Sequence, residues 1–282
     1  MPNSHQHALK HYYDANTRRF LLWGGSGQSV AIHRGLWDDG ITDAEAAARR
    51  IHDHLVAQWR ALQKPPPQQV LDLGCGVGGT LLHLAKVWPE AQLTGITLSP
   101  QQAQIAQQLA AERGVHERYE IIQGDFFETP LPLADCVIAI ESHVHAPTLT
   151  DFMTLAARQL KPGGVLLLVD DFLRQPEAQL SDAEHRLIEN FRRGWRLGFL
   201  ATLTEARAAA QAAGLTPLAS VDYSQHVKLD RTRDQLLRWV APALAAVGAE
   251  RWPLCANMIG GNALTQAYRR QLMQYALLVL GR

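Results

Sequence analysis

A carboxylate and two imidazoles follow directly on a run of apolar residues near the middle of the chain. Residues 136–140 read CVIAI, and Glu141, His143 and His145 come next at intervals of two. Three kinds of chemistry suit this group. An extended segment would turn all three side chains to one side, as ligands of a metal ion. One histidine could pair with Glu141 and only shape a loop. A carboxylate at an apolar pocket could instead stabilise a cation and remove a proton.

A second candidate site is the glycine-rich stretch that follows residues 69–73. Gly74, Gly76 and Gly78 recur at intervals of two, and Asp72 precedes them. Glycines let the main chain turn tightly and come close to a ligand, and the N-terminus of a following helix favours polar or negative groups. The spacing differs from the Gly-x-Gly-x-x-Gly dinucleotide form and lacks the Lys-Ser/Thr end of a phosphate loop. The stretch therefore predicts a ligand-binding loop that is neither a dinucleotide-binding motif nor a phosphate-binding loop.

Both groups need a scaffold that brings them to one edge. Short apolar runs alternate with helical patterns, which indicates βαβ units and a largely parallel sheet, so the expected fold class is α/β. We expect strands at residues 69–73, 92–96, 119–122, 136–140, 165–169, 218–223 and 274–280. Ligands of such a sheet lie beyond the carboxyl ends of the strands. The glycine-rich stretch and Glu141 should therefore face the same crevice.

The proline-rich stretch at residues 64–67 divides the chain into two predicted parts. Residues 1–63 look mostly helical and are expected to form a lid or substrate region. Residues 64–282 form the expected ligand-binding domain, with helical insertions at about 174–200 and 230–270 that should roof the pocket.

Several stretches, in order along the chain, resemble class I S-adenosylmethionine-dependent methyltransferases. Residues 71–79 are similar to their first motif, and residues 95–102 (GITLSPQQ) are similar to the second-strand motif of one branch. That branch holds the sterol, cyclopropane-fatty-acid and prenyl diphosphate C-methyltransferases. Residues 12–14 (YYD) also resemble the N-terminal segment of these enzymes. The resemblance implies a Rossmann-like sheet of seven mostly parallel strands with helices on both faces, an N-terminal helical lid and helical insertions.

The resemblance also implies S-adenosylmethionine as the cofactor and a set of residues around it. These are Asp72, Gly74, Gly76, Thr97, Leu98, Gln102, Asp125, Phe126 and Ile140. Many methyltransferases hold the ribose hydroxyls with an acid where this chain has Thr97, so Gln102 is expected to do that work. Two simpler readings stay open. Gln102 could only complete a capping box with Ser99, and Asp125 could only cap a turn.

Residues 140–147 resemble the corresponding stretch of sterol C-methyltransferases, which implies a catalytic role for Glu141. His143 or His145 would position that carboxylate, and Tyr13 is a further catalytic candidate in the lid. The implied reaction is methyl transfer to an alkene. Glu141 would then stabilise the carbocation and remove a proton from it.

The flanking segments supply candidates for holding the substrate. They are Trp23, His33, Trp37, Arg192 and His226. The tryptophans could equally pack as core, and polar residues of this kind are more often a solvated helix face. The arginine and the histidines would otherwise suit an anionic head group. Asp170 and Asp171, expected just after the fifth strand, could hold Mg²⁺.

Composition narrows the partners. Lys+Arg and Asp+Glu are 27 each, so the formal charge is zero and we expect no nucleic acid partner. Three cysteines and a polar N-terminus favour a reducing cytoplasm. No apolar run reaches the roughly 18 residues that span a bilayer. Association into a homo-oligomer is left open.

The sequence thus predicts a C-methyltransferase acting on an alkene of a hydrophobic prenyl or terpenoid substrate. A prenyl diphosphate, and cyclisation after methylation, are variants of this prediction. An O- or N-methyltransferase of a small metabolite is the first alternative, because such an acceptor needs only a base against its own proton. A cofactor-binding protein without turnover is the second.

Overall fold

One seven-stranded sheet forms the centre of the computed structural model, which describes residues 30–38, 40–229, 241, 244, 248 and 252–282. The strands are β1 (Gln69–Leu73), β2 (Gln92–Thr97), β3 (Tyr119–Gln123), β4 (Ala134–Ile140), β5 (Leu160–Leu173), β6 (Thr216–Asp222) and β7 (Met273–Gly281). Their spatial order is β3-β2-β1-β4-β5-β7-β6, and β7 is antiparallel to both of its neighbours. The predicted α/β class and mostly parallel sheet are confirmed.

Helices cover both faces of the sheet, as predicted. Those within the described residues are α1 (Ala44–Ala61), α2 (Gly79–Val87), α3 (Pro100–Glu112), α4 (Leu149–Gln159), α5 (Asp182–Trp195), α6 (Leu203–Ala212) and α7 (Pro253–Arg269). One buried cluster joins the sheet to α1, α2, α3, α5 and α7, and a second joins it to α4 and α6. Alternate residues of β4 supply the two clusters, because neighbouring side chains of a strand point to opposite faces.

Two elements differ from the sequence expectation. The helix predicted to continue to residue 200 ends at Trp195, because Arg196 adopts a left-handed conformation (φ 58°) that stops it. β5 runs over 14 residues instead of five. Its continuous pairing with β7 extends it, and Asp171 lies directly opposite Tyr275 in that pairing. Asp170 and Asp171 therefore lie within the strand and not in a loop after it.

The segment of residues 30–38 lies outside any helix and is tied down at several points. Leu36 forms a bridge with Val227, and its backbone N–H donates to the carbonyl of Ala47 in α1. The backbone N–H of Trp37 donates to the carbonyl of His226. The expected helical character of residues 1–63 thus holds for α1 but not for this segment. The division at residue 63 stays a prediction, and Tyr13 and Trp23 lie outside the described residues.

No helix in the described part of the chain is long and apolar enough to cross a membrane.

Candidate active site

The glycine-rich loop after β1 uses backbone conformations that side chains would not permit. Gly74, Gly76 and Gly78 all have positive φ angles, of 94°, 56° and 78°. A Cβ atom on Gly74 would lie 2.5 Å from the Cβ atom of Ser142. The Ser142 hydroxyl in turn donates to the carbonyl of Leu73 at 2.5 Å. The end of β1 and the start of the loop after β4 are therefore pressed together, as the parallel sheet predicts.

A cavity opens where β1, β2 and β4 reach their carboxyl ends. Eight of the nine predicted cofactor residues line it, namely Asp72, Gly74, Gly76, Thr97, Leu98, Gln102, Phe126 and Ile140. Glu141, His145 and His33 line it as well. Sequence reasoning missed Val30, Ala31 and Ile32, which form part of the same wall. An apolar run just before His33 was the only signal for them.

Asp72 places a buried carboxyl group in this wall. Asp72 is only 2% exposed to solvent. Burial raises the pKa of Asp72 to about 7, because the charged form loses its hydration. A positively charged ligand beside Asp72 would favour the ionised form and bring that pKa down.

Gln102 and Asp125 each have a local structural role. The backbone N–H of Gln102 donates to the Ser99 hydroxyl at 3.2 Å, which confirms Ser99 as the helix cap. The Thr97 hydroxyl donates to the side-chain oxygen of Gln102 at 2.7 Å, and both residues face the cavity. Asp125 accepts from the backbone N–H of Phe127 at 2.8 Å and begins a turn. It does not line the cavity, so its predicted contact with a cofactor stays untested.

Glu141 sits at the lip of the cavity in a left-handed backbone conformation (φ 51°) that residues with side chains rarely adopt. Its Oε1 atom accepts from the backbone N–H of Arg34 at 3.0 Å, from Nε of Arg34 at 3.2 Å and from the Tyr275 hydroxyl at 2.7 Å. The side chain is 18% exposed. One carboxylate oxygen is therefore held by three donors.

The guanidinium of Arg34 joins this carboxylate to a second one. Its Nη2 donates to Oδ2 of Asp171 at 2.5 Å, and the Tyr268 hydroxyl donates to Oδ1 of Asp171 at 2.5 Å. Burial works against the charge of Arg34, but Asp171 and Glu141 outweigh it and raise its pKa. Burial raises the pKa of Asp171 to about 6, although Arg34 opposes the rise. The sequence offered no signal for this network, because its members are far apart in the chain.

Comparison with known proteins agrees with the glycine-rich loop and the cavity beside it. Residues 70–164 match the methyltransferase domain family. The chain is 32% identical over 214 residues to 27-O-demethylrifamycin SV methyltransferase of Amycolatopsis mediterranei (strain S699), a match that covers 75% of this chain and 74% of that protein. This chain belongs to the S-adenosylmethionine-dependent methyltransferases.

Relatives of the methyltransferase include carbon-methylating enzymes. This chain is 31% identical over 236 residues to sterol 24-C-methyltransferase of Gibberella zeae. The match covers 83% of this chain but only 58% of that protein's length. Its fold matches geranyl diphosphate C-methyltransferase from Streptomyces coelicolor A3(2), with a TM-score of 0.76, 17% identity and coverage of 100% of this chain and 99% of that one. That structure was solved with Mg²⁺, geranyl-S-thiolodiphosphate and S-adenosyl-L-homocysteine. The likeness confirms the predicted Rossmann-like methyltransferase fold.

The cavity of the methyltransferase suits S-adenosylmethionine. The positive φ angles let main chain, without side chains, face the cavity at Gly74 and Gly76. Asp72 offers a carboxyl group to a positively charged part of the cofactor. Leu98 and Phe126 give an apolar surface on which an adenine ring can lie.

The two histidines after Glu141 occupy different places in the methyltransferase. His143 is fully buried against Phe152, Phe172 and Phe199, and its Nδ1 lies 2.6 Å from Oδ2 of Asp170. It is not among the residues that line the cavity. His145 does line the cavity, and its Nδ1 lies 3.3 Å from the carbonyl oxygen of Arg196. Because residues 143–145 form a 3₁₀ turn, the extended arrangement required for three metal ligands is absent at this place.

His33 lies in the cavity wall of the methyltransferase and pairs with a second histidine. Its Nδ1 is 2.9 Å from the carbonyl oxygen of Arg34, and its Nε2 is 2.8 Å from Nε2 of His52. A carbonyl can only accept, so Nδ1 of His33 carries the proton and its Nε2 accepts from His52. Burial lowers the pKa of both histidines. The pair is therefore neutral near pH 7.

The three other predicted substrate residues that the structure describes, Trp37, Arg192 and His226, do not line the cavity. Nη2 of Arg192 lies 2.7 Å from Oε2 of Glu177. Nδ1 of His226 lies 3.1 Å from Oδ1 of Asp38. Trp37 is half-buried, with the ammonium group of Lys228 4.3 Å from its ring centroid. The roles predicted for Trp37, Arg192 and His226 in substrate binding stay untested.

No cluster of three or more metal-ligating side chains occurs among the described residues. Asp170 is engaged by His143, and Asp171 by Arg34 and Tyr268. The predicted Mg²⁺ contact of these two carboxylates stays a prediction, and it would have to compete with these partners.

Proposed function

We propose that this methyltransferase transfers a methyl group to an alkene carbon of an uncharged prenyl or terpenoid substrate. The position of Glu141 is the observation that carries the proposal, because it is a half-buried carboxylate in the wall of the cofactor cavity. When bound, S-adenosylmethionine supplies an electrophilic methyl group, which an alkene can attack and thereby acquire a positive charge. The residues around Glu141 support a role in handling that charge.

The hydrogen bonds of Glu141 leave its two oxygens unequal. Arg34 and Tyr275 hold Oε1. Oε2 accepts no hydrogen bond from the described residues and is the atom that can face a substrate. In the proposed step Oε2 takes a proton from the carbon next to the cationic centre, and the electrons of that C–H bond form the new double bond. Because Oε1 is held in place by these donors, the direction of Oε2 is fixed as well.

The charges near Glu141 favour a cation in the cavity. Glu141 and Asp171 share one cationic partner, Arg34. When both carboxylates are ionised, the three groups carry one net negative charge. An electrostatic interaction of this kind is stronger in a cavity of low polarity than in water. A carbocation would therefore be stabilised next to this network.

The carboxylate partners of the predicted head-group residues favour an uncharged head group over a diphosphate. The guanidinium of Arg192 contacts both oxygens of Glu177, at 2.7 and 2.9 Å. His226 pairs with Asp38, and Arg34 with Glu141 and Asp171. A diphosphate would have to displace these carboxylates. We therefore place the uncharged substrate first and the prenyl diphosphate second.

The Glu141→Gln variant tests the proposal. We expect it to bind S-adenosylmethionine normally and to lose turnover by about 100-fold or more, because the amide can neither take the proton nor offer a negative charge. The assay is incubation with methyl-labelled cofactor and a panel of prenyl alcohols, sterols, quinols and prenyl diphosphates. Mass spectrometry detects the product, and NMR shows whether the methyl group is on carbon and whether a ring has formed. Full activity of the variant would contradict the role of Glu141.

O-methylation of a hydroxyl acceptor is the second candidate. It is supported by the relative from Amycolatopsis mediterranei, which is named for methylating a 27-O-demethyl compound. His145 in the cavity wall could take the proton of a hydroxyl group. This candidate predicts a methyl ether as product, turnover that survives Glu141→Gln, and loss of turnover in His145→Gln. The panel above distinguishes the two candidates.

A further inference from the structure

We propose that Arg34 is a positioning residue that holds Glu141 in its reactive orientation and balances the charges of Glu141 and Asp171. This inference rests on the role proposed above for Glu141, and it concerns a residue that no sequence motif indicated. Arg34 touches the carboxylate but not the cavity, since it is absent from the lining while His33 beside it is present. Its effect on methyl transfer would therefore be exerted through Glu141.

Arg34 contacts Glu141 with its main chain and its side chain together. The backbone N–H and Nε both donate to the same oxygen, Oε1, at 3.0 and 3.2 Å. Two donors from one residue fix the direction of approach as well as the distance. With the Tyr275 hydroxyl at 2.7 Å as a third donor, rotation of the carboxylate would break all three bonds. The orientation of Oε2 is thus set by Arg34 and Tyr275.

The other edge of the guanidinium is also occupied. Nη2 donates to Asp171 at 2.5 Å, and Nη1 lies 3.3 Å from the hydroxyl oxygen of Tyr268. The face of the group lies 4.2 Å from the ring centroid of Tyr275. A planar group with several fixed donors can make all of these contacts at once, and a lysine ammonium cannot. The site is therefore specific for arginine.

Arg34 also links the segment of residues 30–38 to the sheet. Its partners belong to the lip after β4, to β5, to α7 and to β7, which are brought together only by the fold. Val30 and Ile32 of the same segment line the cofactor cavity. Arg34 therefore contributes both to the placement of Glu141 and to the attachment of this segment, alongside the other contacts that hold each of them.

The charge on Arg34 has a measurable consequence. Burial already raises the pKa of Asp171, and Arg34 opposes that rise. Without the guanidinium, Glu141 and Asp171 would have no cation between them. The pKa of Asp171 should then rise further, and the charge beside Glu141 should be established only at a higher pH.

The test compares Arg34→Gln and Arg34→Lys with the wild-type enzyme. Farnesol is the neutral prenyl probe, farnesyl diphosphate its anionic counterpart, and the other panel members serve if neither turns over. We expect Arg34→Gln to lower kcat about 100-fold and to shift the acid limb of the pH–rate profile upward, with the Kd for S-adenosylmethionine little changed. Arg34→Lys should restore the position of the acid limb, because it keeps the positive charge. It should restore only part of kcat, because an ammonium group cannot replace the several fixed donors of the guanidinium.

A second measurement does not depend on activity. An acid whose pKa is higher in the folded protein than in the unfolded chain makes folding less favourable as pH rises between the two values. For Asp171 that window ends near pH 6 in the wild type, where its pKa is about 6. In Arg34→Gln the window should extend higher. The loss of unfolding free energy caused by Arg34→Gln, measured with urea, should therefore grow between pH 6 and 8.

Arg49→Gln is the matched control. Arg49 forms an ion pair with Glu45 on the surface of α1, at 3.2 Å, and its side chain is half exposed. Its removal should change neither the pH–rate profile nor the pH dependence of stability. If Arg34→Gln is too unstable for kinetics, Arg34→Lys and the urea series still decide the question.

The outcomes separate this inference from the proposed function. An Arg34→Gln enzyme with the wild-type kcat and acid limb would overturn the positioning role, whatever the product. So would a large loss in Arg34→Gln combined with full activity in Glu141→Gln. A shifted acid limb together with a methyl ether product would support the positioning role and reject C-methylation.

Discussion

At the scale of single residues, we expect the ionisation of Asp72 to couple cofactor binding to pH. Burial raises the pKa of Asp72 to about 7. S-adenosylmethionine carries a net positive charge, whereas S-adenosylhomocysteine lacks the sulfonium charge. The cation should prefer the ionised carboxylate, and the cavity lining puts Asp72 within its reach. Cofactor binding should therefore depend on pH in this enzyme.

We predict that S-adenosylmethionine binds more tightly as pH rises from 6 to 8. Below pH 7 the affinity should change by up to about tenfold per pH unit, since a proton must leave Asp72 before the cation is fully stabilised. Isothermal titration calorimetry at several pH values measures this slope. In Asp72→Asn the slope should disappear and the affinity should be low throughout. Equal slopes for the wild type with both cofactor forms would contradict the prediction.

At the scale of structural elements, the junction of the loops after β1 and β4 positions the site. Ser142 follows Glu141 directly, packs against Gly74 and donates to the carbonyl of Leu73. The contact between Ser142 and the end of β1 therefore positions both the glycine-rich loop and Glu141, the carboxylate proposed to be catalytic. An error in the packing of one should displace the other.

The variant Gly74→Ala tests this junction. Its Cβ atom would lie 2.5 Å from that of Ser142, and its φ of 94° is unfavourable for alanine. We expect a clear loss of cofactor affinity and a destabilisation of roughly 2–4 kcal/mol from overlap and backbone strain together.

Gly114→Ala is the matched control for the junction. Gly114 also has a positive φ, of 67°, but a Cβ atom there would meet nothing within 4 Å. It should cost only roughly 1 kcal/mol of backbone strain and leave the cofactor Kd unchanged. Thermal unfolding and calorimetry measure both effects. Similar losses of cofactor affinity in the two variants would show that the junction has no special role.

At the scale of the whole molecule, two side chains that sequence reasoning assigned to a substrate contact carboxylates of the protein itself. Arg192 contacts Glu177 and Glu189, and His226 contacts Asp38. Such pairs link α5 to the segment before it and the turn after β6 to residues 30–38. Arg192 and His226 therefore have carboxylate partners within the protein, and their role in substrate binding stays a prediction.

We predict that farnesol is a better substrate than farnesyl diphosphate, as judged by kcat/KM. Arg192→Gln should leave the KM of either compound unchanged, because its guanidinium is already engaged by carboxylates. Arg193→Gln is the control, since Arg193 is exposed and pairs with Glu189 on the same helix. A rise in KM that is confined to farnesyl diphosphate and to Arg192→Gln would show instead that Arg192 binds the head group.

Much of the fold was determined by local sequence. The alternation of apolar runs and helices predicted the sheet, and Ser99, Pro100 and the glycines after β1 marked turns and caps by short-range physics alone. The glycine-rich loop and Glu141 could be assigned to one edge because parallel strands end together. For the same reason eight of nine predicted cofactor residues line the cavity.

Only the tertiary structure decided which charges meet. Arg34, Asp171 and the pair Tyr268 and Tyr275 come from three distant parts of the chain, and no local pattern shows that they form one network with Glu141. The structure also turned His143 into the apolar layer and gave it Asp170 as a partner. Periodicity and spacing report the direction of a side chain along one element. The partner of a buried charge depends on how several elements pack, and that is a property of the folded chain alone.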